Sequence, residues 1–450
     1  MTQFHFIQNL LQVKDPNIPF QNKSDEVMKN NRKAVLFYGN LDKFPDVCVS
    51  CGHVSETSQD MIRNGGFESD VHLGMFNRTP CYLRLRKQRY LCKHCRATTT
   101  AQTSLVGYAC FISKDVKRII LSDLSEMKAM TLIAREFAVS TSTVLRCLKD
   151  YRSTQLQRPT TLPTHLAVDE FKSVKAVEGQ MSGILMDNEK KQIFDILPDR
   201  KQRHLREYFL RFSREERYKV ETITMDMYSP YYQFFQTLFP KSDIIIDRFH
   251  IVQHLLRELN KYRVTIMNGF RTTHRRVYNK FKRYWKLLLK NPSDLHWRHY
   301  QRFPLFDWLT HTQGIVDYLL DQSPAFKASY DCIQMLVMAL RKGHQNRFFD
   351  LLRRFLKAPL PQNIKKGLRT LKKFEVGIRN SFIYTYTNGP LEGTNNKIKT
   401  LKRTGFGYRN FLNLKTRILL TTRYKEVKET LPDPPYQWMV EASERYNSAS

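Results

Sequence analysis

Asp169, Asp226 and Glu392 each stand where a strand ends or a helix begins. His165-Leu-Ala-Val-Asp-Glu-Phe171 is a β-rich run closing on two carboxylates, and Val220-Glu-Thr-Ile-Thr-Met-Asp226 closes on another. Gly389 and Pro390 form a turn that leads into a helix with Glu392 near its start. Phosphodiester cleavage assisted by two metals needs oxygen ligands that hold two Mg²⁺ ions roughly 3.5–4 Å apart. Two carboxylates from adjacent strands and a third from a flanking helix would supply them. Strand-end acids are ordinarily turn and cap residues. Gathering them at an apolar sheet edge is costly without metal, and that cost favours the chemical reading. Glu170 competes with Asp169, because alternation does not decide which one faces the site in a strand covered on both faces.

A second constellation is cysteine-based. Cys48-x-x-Cys51 and Cys92-x-x-Cys95 are two knuckles whose four thiolates suit a structural Zn²⁺. The long loop between them ends in Cys81-Tyr-Leu-Arg-Leu-Arg-Lys-Gln-Arg-Tyr-Leu-Cys92, whose alternation predicts a strand carrying Arg84, Arg86 and Arg89 on a positively charged face. The pattern is that of a zinc ribbon. His53 and His94, beside the knuckles, are substitute ligands. Cys81, Cys110, Cys147 and Cys332 are isolated and default to small buried hydrophobes.

The elements that must position these groups follow from periodicity. Met181–Met186 and Gln192–Leu197 are strands that could complete an antiparallel meander with 165–171. Arg203–Phe212 is helical, 220–226 a fourth strand, Tyr231–Phe239 a helix, and Ser242–Asp247 a fifth strand. Strand-strand-strand-helix-strand-helix-strand is the order of the ribonuclease H-like fold. Residues 251–380 then lose β character and turn helical and basic, before a helix that carries Glu392, Asn395, Asn396, Lys397, Lys399, Lys402 and Arg403. Trp285, Trp297 and Trp308 in this stretch are core residues or platforms for an unpaired base. Upstream, Met130–Leu148 has apolar residues at three-to-four spacing, Ala134 at a close crossing and Ser140 as a helix N-cap. That is a helix-turn-helix pattern presenting Thr141, Ser142, Thr143 and Arg146 to a DNA groove.

Composition narrows the partners. The chain has 450 residues, with 74 Lys+Arg against 42 Asp+Glu, a formal charge of +32. Such an excess needs a polyanion, and nucleic acid is the leading candidate over a membrane surface. Hydrophobic residues at 41% and aromatics at 12% support real cores and argue against wholesale disorder. No run reaches the roughly 18–20 apolar residues of a membrane span, the N-terminus does not read as a secretory signal, and the cysteines are too sparse for a disulfide scaffold. A soluble, cytoplasmic protein is expected.

These motifs together resemble a known family. The paired knuckles, the helix-turn-helix, Val168-Asp-Glu-Phe171, Asp226-Met-Tyr-Ser-Pro-Tyr231, Asp247-Arg-Phe-His250, Asn388-Gly-Pro-Leu-Glu-Gly-Thr-Asn-Asn-Lys-Ile-Lys399 and Lys402-Arg-Thr-Gly-Phe-Gly-Tyr-Arg-Asn-Phe411 are similar to bacterial insertion-sequence transposases of the DDE class, in particular the ISL family (the ISL-three elements). The resemblance spans about residues 45–425. It implies an α/β ribonuclease H-like catalytic core interrupted by an all-helical insertion, preceded by a zinc ribbon and a helix-turn-helix. It implies Asp169, Asp226 and Glu392 as the catalytic, metal-binding triad for two Mg²⁺ or Mn²⁺, with Asp247 and His250 in support. The partner implied is double-stranded DNA, both the element's inverted repeats and the target, and bringing two ends together calls by geometry for at least a second copy of the chain on DNA. Cleavage at the transposon end and transfer of its 3′-hydroxyl into target DNA is the expected reaction. An inactive regulator that only occupies sites, and a nuclease that cuts without joining, are the alternatives.

The expected organisation is an N-terminal segment over 1–44, the ribbon over 45–110, the helix-turn-helix over 111–158, the core over 159–250 and 381–430, the helical insertion over 251–380, and a tail over 431–450.

Overall fold

The computed structural model describes residues 3–11, 13–55, 60–107 and 109–430. The tail expected over 431–450 lies outside them. The chain divides into two compact units, residues 1–158 with 396–450, and residues 159–395.

The first unit opens with helix α1 (Gln3–Leu10) and a sheet built from two hairpins. β1 (Phe20–Lys29) turns through Asn30 and Asn31 into β2 (Arg32–Leu41), and β3 (Met61–Phe76) turns through Asn77 and Arg78 into β4 (Thr79–Cys92). All four turn residues have positive φ, between 45° and 64°. Two-residue loops of that conformation match the twist of the flanking strands, and asparagine tolerates it best among residues with a side chain. The order is β1-β2-β4-β3, with β2 and β4 parallel and the short β5 (Thr98–Thr100) on β4. Residues 20–41, from which the sequence yielded no element, thus share one sheet with the strand that leads into the second cysteine knuckle. In β4 the expected alternation holds: Leu83 and Leu85 are fully buried while Arg86 is exposed.

Three helices follow, α2 (Lys114–Ser125), α3 (Met130–Glu136) and α4 (Thr141–Gln155). Ser113 Oγ accepts the Val116 N–H at 3.3 Å and Ser140 Oγ the Thr143 N–H at 3.1 Å, so both long helices start on a serine cap. Ala138, at φ 50°, turns the chain between α3 and α4. Val116, Ile120, Leu124, Ile133, Ala134, Val144 and Leu148 form their shared core.

The second unit is a mixed five-stranded sheet of order β10-β9-β6-β7-β8, where β6 is His165–Lys172, β7 Met181–Asp187, β8 Gln192–Leu197, β9 Thr222–Met225 and β10 Asp243–Ile246. β6, β7 and β8 form the antiparallel meander expected, and β9 and β10 add in parallel on the other side of β6. α5 (Gln202–Phe209), α6 (Arg214–Tyr218) and α7 (Ser229–Leu238) connect them. After β10 come α8 (Arg248–Thr273), α9 (Arg275–Tyr284), α10 (Thr312–Asp321), α11 (Pro324–Arg341), α12 (Gln345–Lys357), α13 (Gln362–Lys373) and α14 (Glu375–Ile383). Between α9 and α10 the chain leaves α-helix for two short 3-10 turns, irregular segments and a two-residue ladder, β11 (Gln301–Arg302) with β12 (Leu309–Thr310). Trp297 and Trp308 are 60% and 50% exposed and do not form its core. α14 returns to the sheet at β10, where a Cβ on Gly377 would stand 2.8 Å from Ile246 Cγ1. The Asn380 amide donates to the Ile244 carbonyl at 2.9 Å, satisfying an edge strand that has no neighbour on that side.

α15 (Gly389–Thr404) follows, and α16 (Phe411–Thr430) completes the first unit. α16 packs its Leu420 into the core of α2, α3 and α4. Arg417 is fully buried, and its Nη2 donates to the carbonyls of Glu126 and Lys128 at 2.9 and 2.7 Å. These carbonyls follow α2, so the arginine fixes the turn between α2 and α3 from the far end of the sequence. No described helix is long and apolar enough to cross a membrane.

Arg417→Ala removes two charge-assisted bonds and opens a cavity, with an expected cost of about 3 kcal/mol in denaturant unfolding. Thr422→Ala, at an exposed position of the same helix, is expected to stay within about 0.5 kcal/mol of the parent.

Candidate active site and cysteine cluster

β6 and β9 pair only from His165↔Thr222 to Ala167↔Thr224. Asp169 lies just past that pairing on β6, and Asp226 is the first residue after β9. The two carboxylates therefore emerge where two parallel strands part, at the carboxyl end of both. Residues 387–395 run across this edge. Asn395 Nδ2 donates to Asp169 Oδ2 at 2.7 Å, and Asn388 Nδ2 reaches Asp226 Oδ1 at 3.3 Å and the Val168 carbonyl at 3.4 Å. The Asn388 backbone N–H donates to Asp247 Oδ2 at 2.5 Å, while Asp247 Oδ1 caps α8 through the Phe249 N–H at 2.7 Å. One carboxylate thus ties the start of α15 to the start of α8. The same first turn of α8 delivers His250, whose Nε2 lies 2.8 Å from Asp226 Oδ1.

Glu392 follows Asn388 by one helical turn, with its N–H on the Asn388 carbonyl at 2.9 Å. Positions 388, 392 and 395 share one face of a helix. Glu392 is exposed, whereas both asparagines are buried. Glu170 takes the opposite side of β6, as alternation requires, and accepts from Arg200 Nη1 at 2.6 Å. The strand itself separates the two rivals, leaving Asp169 facing residues 388–395.

Burial, then the neighbouring Asp226 charge, raises the Asp169 carboxyl to about 6, against the opposing pull of the Glu170 N–H and of His250. For His250, burial works toward a lower value, but the bond to Asp226 and the charges of Asp226, Asp247 and Asp169 outweigh it and raise the imidazole. The surrounding carboxylates thus favour the protonated form of this imidazole.

The donor chemistry suits a hard divalent ion. Two carboxylates converge, and beside them Asn388 Oδ1 and Asn395 Oδ1 are buried oxygens that accept no hydrogen bond. Asp169, Asp226 and Glu392 are nonetheless not drawn to a common point. Among the described residues, the one set of three or more acidic, histidine or cysteine side chains with ligand atoms all within 4.8 Å of one another is Cys48, Cys51, Cys92 and Cys95.

In that set Cys48 Sγ lies 3.6 Å from Cys95 Sγ, and Cys51 Sγ 4.0 Å from Cys92 Sγ. Tetrahedral Zn²⁺ with Zn–S bonds near 2.3 Å requires sulfurs about 3.8 Å apart. The four cysteines can bind zinc. Cys92 and Cys95 come from the end of β4 and the turn after it, and Cys48 and Cys51 from a loop closed by the Cys48 N–H on the His53 carbonyl at 2.9 Å. The His53 and His94 rings stack 5.2 Å apart and are not in the ligand set.

Several residues expected to touch DNA are engaged elsewhere. Arg84 pairs with Asp70, Nε to Oδ1 at 2.9 Å and Nη2 to Oδ2 at 3.2 Å. Thr143 is 6% exposed, and its hydroxyl sits 3.0 Å from Ser140 Oγ and accepts from Arg146 Nη2 at 3.1 Å, completing the cap of α4. Asn395 is buried against Asp169. Arg89 lies over the Phe67 ring. Arg86, Thr141, Ser142, Arg146, Asn396, Lys397, Lys399 and Arg403 are exposed and Lys402 is half-buried. Asn388 entered the sequence reading only as the first residue of a motif, with no site role, although its spacing from Glu392 and Asn395 was the available signal.

A family model described as "Transposase" matches residues 166–418, more than half the chain. The chain belongs to the ISL3 family of DDE transposases. Over 112 residues it is also 41% identical to a Lactococcus lactis subsp. lactis protein named "ATP-dependent protease". That match covers 25% of this chain and 35% of the relative, so the chain spans about a third of that protein's length.

Two measurements follow from this geometry. Cys92→Ser is expected to lower zinc from about one ion per chain to near none by metal analysis, while Cys332→Ser, in the other unit, leaves it unchanged. Asp169 binds its proton more tightly in the native chain than in the unfolded one, so native stability is lost as pH rises through the interval between the two values. Asp169→Asn escapes that loss. Its stability relative to the parent should rise between about pH 4 and about pH 7, by at most about 3 kcal/mol, in denaturant titrations without added divalent metal.

Proposed function

We propose that the chain binds the terminal inverted repeats of its own mobile element, cuts the DNA at the element's end, and joins the freed 3′-hydroxyl to target DNA. The observation that carries this reading is the emergence of Asp169 and Asp226 from neighbouring parallel strands, with the helix bearing Glu392 laid across the same edge. Under this reading the 159–395 sheet with the start of α15 is a ribonuclease H-like core, and the helices from α8 to α14 are its insertion. α3 and α4 act as a helix-turn-helix beside a zinc ribbon. Thr141, Ser142 and Arg146 meet base edges, and Arg86, Asn396, Lys397, Lys399, Lys402 and Arg403 track phosphates.

Asp169, Asp226 and Glu392 would hold two Mg²⁺ or Mn²⁺ ions. Bound there, the ions would supply an activated water and a charge to stabilise the leaving oxygen. The chain's own work is positional. Asp247 fixes the starts of α8 and α15 together, His250 orients Asp226, and Asn395 orients Asp169. Glu170 is kept out by Arg200. Joining two transposon ends to one target requires two active sites, and so a dimer or higher assembly on DNA.

The test uses DNA built from the flanks of the protein's own gene, with Mg²⁺ or Mn²⁺, and compares the parent with Asp226→Asn. Nicks at the repeat ends that vanish in the variant, and 3′-ends joined to a target plasmid by the parent alone, are expected. Cutting without joining would make the protein a nuclease. Specific binding without cutting in either protein would make it a regulator. Cutting that survives Asp226→Asn would place the active site elsewhere.

A further inference from the structure

Asn388 and Asn395 are 5% and 8% exposed, and each offers its amide nitrogen to one of the two strand-end carboxylates. Asn395 Nδ2 also points to the Glu170 carbonyl at 3.4 Å. On both, the other half of the amide is unused. Among the described residues of 159–395, Asn388 Oδ1 and Asn395 Oδ1 are the two buried side-chain oxygens with no hydrogen-bond partner. A buried acceptor left unpaired costs about 1–3 kcal/mol. Both such costs in this unit fall at one place, on one helical face, either side of Glu392.

A neutral amide oxygen with two lone pairs is a hard ligand of the kind that Mg²⁺, Mn²⁺ and Ca²⁺ accept alongside carboxylates. The terminal torsion of asparagine is broad and roughly two-fold, so a half-turn exchanges nitrogen and oxygen with little other movement. For Asn395 that half-turn puts an oxygen where a nitrogen now stands, 2.7 Å from Asp169 Oδ2. Two oxygens at that separation repel each other unless a cation lies between them.

We infer, resting on the active-site reading above, that Asn395 and Asn388 are metal ligands. Their amide oxygens turn to the divalent ion held by Asp169 and Asp226, and the N–H···carboxylate bonds are the cation-free arrangement of the same side chains. Each amide then serves both states of the site. Its nitrogen partly neutralises a carboxylate when no ion is bound, and its oxygen adds a ligand without adding charge when one is.

The test measures Mn²⁺ binding to the zinc-loaded full-length chain without DNA, by calorimetry and by the electron paramagnetic resonance signal of free Mn²⁺. Asn395→Asp keeps the oxygen and removes the donor, and Asn395→Leu removes both at similar size. The expected pattern is a Kd raised about tenfold or more in Asn395→Leu and unchanged or lowered in Asn395→Asp. Equal weakening in the two variants would mean that the nitrogen carries the effect, and would overturn the inference. No change in either variant would overturn it as well. Where Asn395→Leu does not fold, as its thermal melt will show, Asn395→Ala against Asn395→Asp carries the same comparison. Asp226→Asn serves as the control, since Mn²⁺ binding indifferent to it would sink the active-site reading instead.

Discussion

Two carboxylates that leave a sheet side by side repel each other, and burial makes that repulsion worse. Much of the local architecture of the 159–395 unit answers this constraint. Asp169 and Asp226 are each met by an amide N–H, Asp226 also by the His250 ring, and Asp247 by the backbone of Asn388. The donors come from the starts of two helices widely separated in sequence, so the repulsion is managed by tying those helix starts to one sheet edge. The seven α-helices between β10 and α15 are compatible with this arrangement because α14 docks on β10, through Gly377 and Asn380, before the chain reaches Asn388.

The sheet of this unit was largely legible in the sequence. Each of its five strands is a short β-branched or aliphatic run bounded by polar turn residues, and fully buried runs such as Thr222–Met225 show little else they could be. The four cysteines were legible for a similar reason, since paired knuckles at fixed spacing have few other uses. β1 and β2 were not found, because β1 (Phe-Gln-Asn-Lys-Ser-Asp-Glu-Val-Met-Lys) has hardly any apolar periodicity and buries little of itself. Its signal was the Asn30-Asn31 pair between two runs of equal length.

The site was legible in residue type but not in engagement. Asn395 and Thr143 read as polar groups available to DNA, yet one is spent on a carboxylate and the other on a helix cap. Asp70 and Arg84 face each other across the β3–β4 hairpin, a pairing that only the strand register reveals. Polar residues on an amphipathic element reveal that a face is polar, while the partner on that face is fixed by tertiary structure. The side of β6 taken by Asp169 and by Glu170 was of the same kind: Asp169 meets Asn395, and Glu170 meets Arg200.

The seating of α16 against α2, α3 and α4 also sets an order of events during synthesis. The turn after α2 is closed by Arg417, so the helical group of α2, α3 and α4 lacks its last wall until a residue 291 positions after Glu126 has been made. At about 5–20 residues per second, that wait is roughly 15–50 s. A nascent or prematurely terminated chain therefore carries these helices in an incomplete state, with the Leu420 socket open. Completion of the first unit waits on the segment that follows Glu392, so that only a molecule that has already made its Glu392 helix can have a finished helical group.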